Sequence, residues 1–138
     1  QDALKLNNGF PPALLGTMRV SLLQGDPDTA KTIFQDFPIS KEYEKAEALL
    51  PVVKAMQDLE NHLLATGSNL DAAFANSIRL AMRGNLLGSL DGLLGILREN
   101  KHYAKNRGKL VFLGLLELLD PEAEEVEEYR KELASILF

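Results

Sequence analysis

Between Asn69 and Tyr103 the chain reads NLDAAFANSIRLAMRGNLLGSLDGLLGILRENKHY, two apolar stripes on either side of one break at Gly84-Asn85. Phe74, Ile78, Leu80 and Ala81 recur at helical spacing before the break, and Leu86, Leu90, Leu93, Leu94 and Leu97 after it. A helix, a glycine-asparagine turn and a second helix make an αα-hairpin. Its stripes must be buried against each other and against further helices. No strand pattern appears elsewhere, so the rest of the chain is expected to supply that cover as helix.

An earlier stretch has the same design. Phe10-Pro11-Pro12 opens a helix to about Leu23, with Leu14, Leu15, Met18, Leu22 and Leu23 apolar. Gln24-Gly25-Asp26 breaks it, and Pro27 starts a second helix lined by Ala30, Ile33, Phe34 and Phe37, which Pro38 ends. Gly25 and Gly84 stand 59 residues apart. On that offset Asp26 falls on Asn85, Ala30 on Ser89, Phe34 on Leu93 and Phe37 on Ile96. A small residue soon after the glycine and a large apolar one further on are what two closely packed antiparallel helices require. Gly25, Ala30 and Phe34 in one copy, and Gly84, Ser89 and Leu93 in the other, therefore define a tetratricopeptide-like repeat.

The offset exceeds the roughly 34 residues of an uninterrupted array. Ser40 to Ser68 accounts for the excess. Tyr43, Ala46, Leu49, Leu50, Val53, Met56, Leu59, Leu63 and Leu64 give it one long helical period, which Pro51 should kink or divide and Gly67 stop. The expected organisation is one continuous domain. Residues 1–9, which lack an initiator methionine, read as the helical tail of a preceding repeat in a larger protein. A repeat over 10–38, a spacer over 40–68, a repeat over 69–103 and a capping helix pair over 104–138 follow. Ala104 to Leu119 is apolar nearly all round and should be the most buried element. Asp120-Pro121-Glu122 reads as N-cap, first helical residue and acidic first turn of the last helix. That helix should bury Val126, Tyr129, Leu133, Ile136 and Leu137, with its acidic side as the wet face a terminal cap needs. The fold class expected is all-α: antiparallel helix hairpins in a short, interrupted tetratricopeptide-like superhelix with a C-terminal capping helix.

Composition excludes several functions. A net charge of -5 argues against nucleic acid as a partner. The absence of cysteine removes thiol chemistry and fits a reducing, cytoplasmic setting. The longest apolar run, Leu110 to Leu116, is far short of the roughly 20 residues that span a bilayer. His62 and His102 lack ligand partners at convincing spacing, so they read as surface or packing residues and no metal is expected. No serine sits in a nucleophile elbow and no glycine cluster follows a strand, so neither catalysis nor a cofactor is expected. Arg98, Lys101, Lys105, Arg107 and Lys109 read as a solvated cluster, partly paired with the acidic stretch after Asp120. Met18, Met56 and Met82 read as core.

The motifs in order are LLQGDPDTAKTIFQDFP, EYEKAEALLPVV, the central hairpin, LLELL and finally YRKELASILF. This order resembles the C-terminal tetratricopeptide-repeat region of bacterial thioredoxin–tetratricopeptide proteins, the chaperedoxin type. The resemblance implies a protein-interaction platform of a thioredoxin-like chaperone. Its partners would be unfolded clients or a chaperonin, held on a concave surface made by the first helix of each pair. Any thiol-disulfide chemistry would belong to an upstream domain, so this region is not expected to be an enzyme. The competing expectation is a scaffold that positions that domain, with a homodimer as its form. Tyr129, Arg130, Leu133, Ile136, Leu137 and Phe138 are the candidate docking residues. For Phe138 the favoured expectation is a ring tucked under the cap rather than offered to a partner's groove.

Overall fold

A left-handed glycine followed by a capping side chain closes each hairpin turn. In the computed structural model, which describes residues 10–138, α1 spans Pro11–Leu23 and α2 spans Pro27–Gln35. The expected helical tail at 1–9 lies outside the described residues. Between α1 and α2, Gly25 takes φ +73°, and the amide of Asp26 reaches back to the Ser21 carbonyl at 2.8 Å. Asp26 then caps α2, accepting from the Thr29 amide at 3.2 Å and its hydroxyl at 2.6 Å. The later hairpin repeats these contacts between α5, Asn69–Met82, and α6, Leu86–Glu99. Gly84 takes φ +83°, the Asn85 amide bonds to the Leu80 carbonyl, and the Asn85 side chain accepts from the Gly88 amide. The aligned pair Asp26 and Asn85 thus does the same work in both copies.

The two turns lie side by side. A β-carbon on Gly25 would stand 2.5 Å from the Met82 carbonyl oxygen, and one on Gly84 would meet the Leu23 carbonyl oxygen at 3.8 Å. The hairpins are therefore neighbours in space, and α1 packs directly on α5.

The 40–68 segment forms α3, Tyr43–Ala48, and α4, Leu50–Glu60, divided at Leu49, two residues before Pro51. The helical period expected to run on through Leu64 stops at Glu60. His62 adopts φ +56°, and the Leu63 amide bonds back to the Asp58 carbonyl at 2.7 Å, a left-handed closure that satisfies the last carbonyls. Leu63 is left exposed. The segment is more than a spacer: α4 buries Val52, Val53, Ala55 and Met56 and packs against α2, α5 and α7.

Helix α7 covers Tyr103–Leu116, but Ala104, Lys105 and Asn106 are left-handed, so regular helix begins only after them. The Asn106 amide bonds to the His102 carbonyl at 3.1 Å across this turn. Phe112, Val111 and Leu115 are wholly buried while Leu110 is exposed, so the run is less uniformly covered than its composition predicts. The last helix, α8, is Glu124–Leu137 and starts later than Asp120-Pro121 signals. Asp120 caps a preceding turn instead: its carboxylate accepts from the Glu122 amide at 3.0 Å and its carbonyl from the Ala123 amide at 2.9 Å. Glu124, Glu125 and Glu127 remain in the first turn, where the helix dipole favours them.

The α5–α6 crossing explains one of the glycines that weaken α6. A β-carbon on Gly92 would collide with the Ser77 hydroxyl, so Gly92 lets the two helices approach. Ser89, fully buried in the same helix, has no hydrogen-bond partner for its Oγ. Ser89→Ala should therefore stabilise the protein by about 1–2 kcal/mol, from the removed desolvation penalty and better helix propensity. A rise in urea midpoint with unchanged slope is the expected result; a fall would mean that the hydroxyl is satisfied.

Candidate interaction surfaces

Much of the basic cluster is committed to structure. Arg107, at the start of the regular part of α7, bonds Asp58 of α4 at 2.7 Å and lies 5.6 Å over the Phe74 ring of α5. Lys54 bonds the other Asp58 oxygen at 2.8 Å. Nearby, the Tyr103 hydroxyl donates to Asp71 at 2.5 Å. Burial and then this hydrogen bond push the Tyr103 phenol well above its usual range. Arg98 pairs with Glu132 of α8 at 2.6 Å, and Lys101 reaches the Leu137 carbonyl at 3.4 Å. The expected pairing with the 122–128 acids is thus replaced, for Arg98, by one a turn further along α8.

Burial alone would raise the Asp58 carboxyl, but the hydrogen bonds from Lys54 and Arg107 outweigh it and hold the group below its ordinary value. A depressed folded value means that this stabilisation is present above the unfolded pKa and lost as pH falls through the folded one. Asp58→Asn, which keeps the shape and removes the charge, should cost about 2 kcal/mol at neutral pH. The gap between variant and parent should close below about pH 4. Chemical denaturation across pH measures it, and a gap independent of pH would contradict the assigned charge role.

The C-terminal helix divides the candidate docking residues into two groups. Leu133 is buried, and Tyr129, Ile136 and Leu137 pack partly buried on the core. Tyr129 donates to Asp91 at 2.7 Å and meets Phe112 edge-on at 6.1 Å. Burial, then the Asp91 hydrogen bond, raises its phenol well above the usual range. Arg130 is exposed, and Phe138 is fully exposed rather than tucked under the cap. The reason is angular. Ile136 and Leu137 follow Leu133 by three and four residues onto the core side, whereas a fifth step rotates Phe138 about 140° away.

Among the repeat-defining residues, Gly25 and Gly84 occupy the turns, and Ala30, Ser89 and Leu93 are fully buried. Phe34 is only partly buried, in a cluster with Phe37 at 6.3 Å and Tyr43 at 5.4 Å. His62 and His102 are both exposed. Met18 and Met56 are core, and Met82 packs partly buried against it.

The first helices of the pairs, α1, α5 and α7, are where a concave binding face is expected. Helix α4 lies on α5 and α7, and α3 touches α1 and α7. A cleft of about 430 Å³ stays open between α1 and α3, lined by Pro12, Leu15, Gly16, Arg19, Lys41, Glu42 and Lys45. The sequence reading missed this cleft; its one available signal was Lys41 and Lys45, four residues apart with apolar Leu15 remote in sequence. Among the described residues no cluster of three metal-ligating side chains is found, and no helix is long and apolar enough to cross a membrane.

A family model described as tetratricopeptide repeat matches residues 52–138, more than half of the chain, and takes in α4 from its third residue onward. No curated protein and no solved structure matches the chain.

Proposed function

We propose that this chain, which belongs to the tetratricopeptide-repeat family, is a protein-binding platform that holds unfolded clients or docks a chaperonin. Repeats of this family generally mediate protein–protein interactions and are typically non-catalytic. The observation that carries the reading is the stacked hairpin pair, whose neighbouring turns and buried small residues pack the helices side by side as a repeat scaffold does. The order of motifs, which resembles thioredoxin–tetratricopeptide chaperones, adds the cytoplasmic chaperone setting and assigns any redox step to an upstream domain. The purified chain should slow light scattering by a chemically unfolded client and should be retained on immobilised chaperonin. If it does neither, the chaperone role is abandoned for this region.

A second reading, a scaffold that dimerises to position an upstream domain, is favoured by one observation. Helix α1 leaves Val20 51% and Leu23 38% exposed, although its inner face is fully packed. Light scattering across concentration separates the readings: a mass that stays monomeric sinks the scaffold.

A further inference from the structure

We propose that the α1–α3 cleft binds an extended acidic segment of a partner protein, its carboxylates on Lys41 and Lys45 and an apolar side chain on Pro12 and Leu15. The inference rests on the protein-binding reading above and assigns its ligand chemistry.

The chain carries a net charge of -5, yet this cleft gathers Arg19, Lys41 and Lys45 against a single acid, Glu42. Arg19 is a fixed charge, since one of its terminal nitrogens donates to the Leu119 carbonyl at 3.1 Å. Lys41 and Lys45 are exposed, and neither forms an ion pair among the described residues. A carboxylate that meets either ammonium gains a charge-assisted hydrogen bond without breaking an internal pair. The floor is apolar, with Leu15 and the bare backbone of Gly16, beside which no heavy atom lies within 4 Å of a would-be β-carbon.

The surroundings exclude a long polyanion. Across the Arg19–Leu119 bond lies a second cleft lined by Glu117, Glu122, Glu124 and Glu127, with Arg130 as its one cation. A nucleic-acid backbone running from one cleft into the other would meet repulsion. A short acidic stretch confined to α1 and α3 would not. This local reversal of sign selects a peptide over RNA.

The test is fluorescence anisotropy of the purified chain with a labelled, glutamate-rich peptide bearing a central leucine. The same peptide with lysine for glutamate and a labelled single-stranded RNA serve as comparison probes. Saturable binding of the acidic peptide is expected, weakened at least about ten-fold by Lys41→Glu/Lys45→Glu and by raised salt. The doubly reversed variant, unaltered in circular dichroism, should gain affinity for the lysine peptide. No binding of the acidic peptide, binding indifferent to the charge reversal, or stronger binding of RNA would each overturn the assignment. Client or chaperonin capture that survives the charge reversal would leave the broader protein-binding reading standing and sink only this site.

Discussion

Leu93→Ala is expected to lower stability by about 2–5 kcal/mol, and Leu93→Ala/Leu94→Ala to bring the chain close to unfolding at room temperature. Leu93 is wholly buried and Leu94 nearly so, in a helix that buries one face on α5 and meets α7 and α8 beyond it. Local propensity cannot compensate, because Gly88, Gly92 and Gly95 leave α6 about 3 kcal/mol poorer than an alanine-rich helix. The helix therefore depends on tertiary burial, and its leucines are the largest part of that burial. Urea unfolding of the single and double variants measures the loss. A double variant that costs less than about 2 kcal/mol would mean that these side chains do not face the core.

The hairpins were readable because their signals are local. Gly25 and Gly84 announce left-handed turns, Asp26 and Asn85 announce caps, and the 59-residue register put each pair in the same role. The register also held a spatial fact that period alone could not express, since the two turns touch. Where local signals compete, the helix boundaries differ from those the sequence predicts. Gly67 looked like the residue that stops the long helix, yet His62 took the left-handed position five residues earlier. Asp120-Pro121 is a strong helix start by chemistry, but the Asp120 carboxylate went to a turn. In both cases hydrogen bonds two to five residues away decided the boundary, and tertiary packing decided which set formed.

The interaction surface was less readable than the fold. Nothing in the sequence marks Asp58 for pairing with Arg107, which is 49 residues further on and reaches it only because α7 lies on α4. The same pairing removed Arg107 from the basic cluster. Helical spacing predicts that the core takes Tyr129 and Leu133, as it does, but Phe138, expected under the cap, is left exposed. A cleft made by α1 and α3 depends on how a divided helix folds back over the first hairpin. No spacing rule within either helix encodes it.

The sharpest test of how α7 rests on the α3–α4 junction is Gly114→Val. Gly114 is buried in α7, and a β-carbon there would stand 2.7 Å from both the Ala48 carbonyl oxygen and Val52 Cγ2. The oxygen belongs to the backbone where α3 joins α4, so a side-chain rotation cannot relieve the contact. Helix propensity alone predicts a small change of the opposite sign, since glycine is worse than other residues in a helix interior by up to about 1 kcal/mol. Overpacking against backbone outweighs that gain, and the variant should lose about 3 kcal/mol or fold with α7 displaced. Gly95→Ala in α6 is the control, because nothing lies within 4 Å of its would-be β-carbon. It should stabilise by up to about 1 kcal/mol on propensity alone. Opposite signs at Gly114 and Gly95 in parallel urea titrations would establish that α7 rests on the α3–α4 junction. A neutral Gly114→Val would mean that α7 stands clear of the α3–α4 junction.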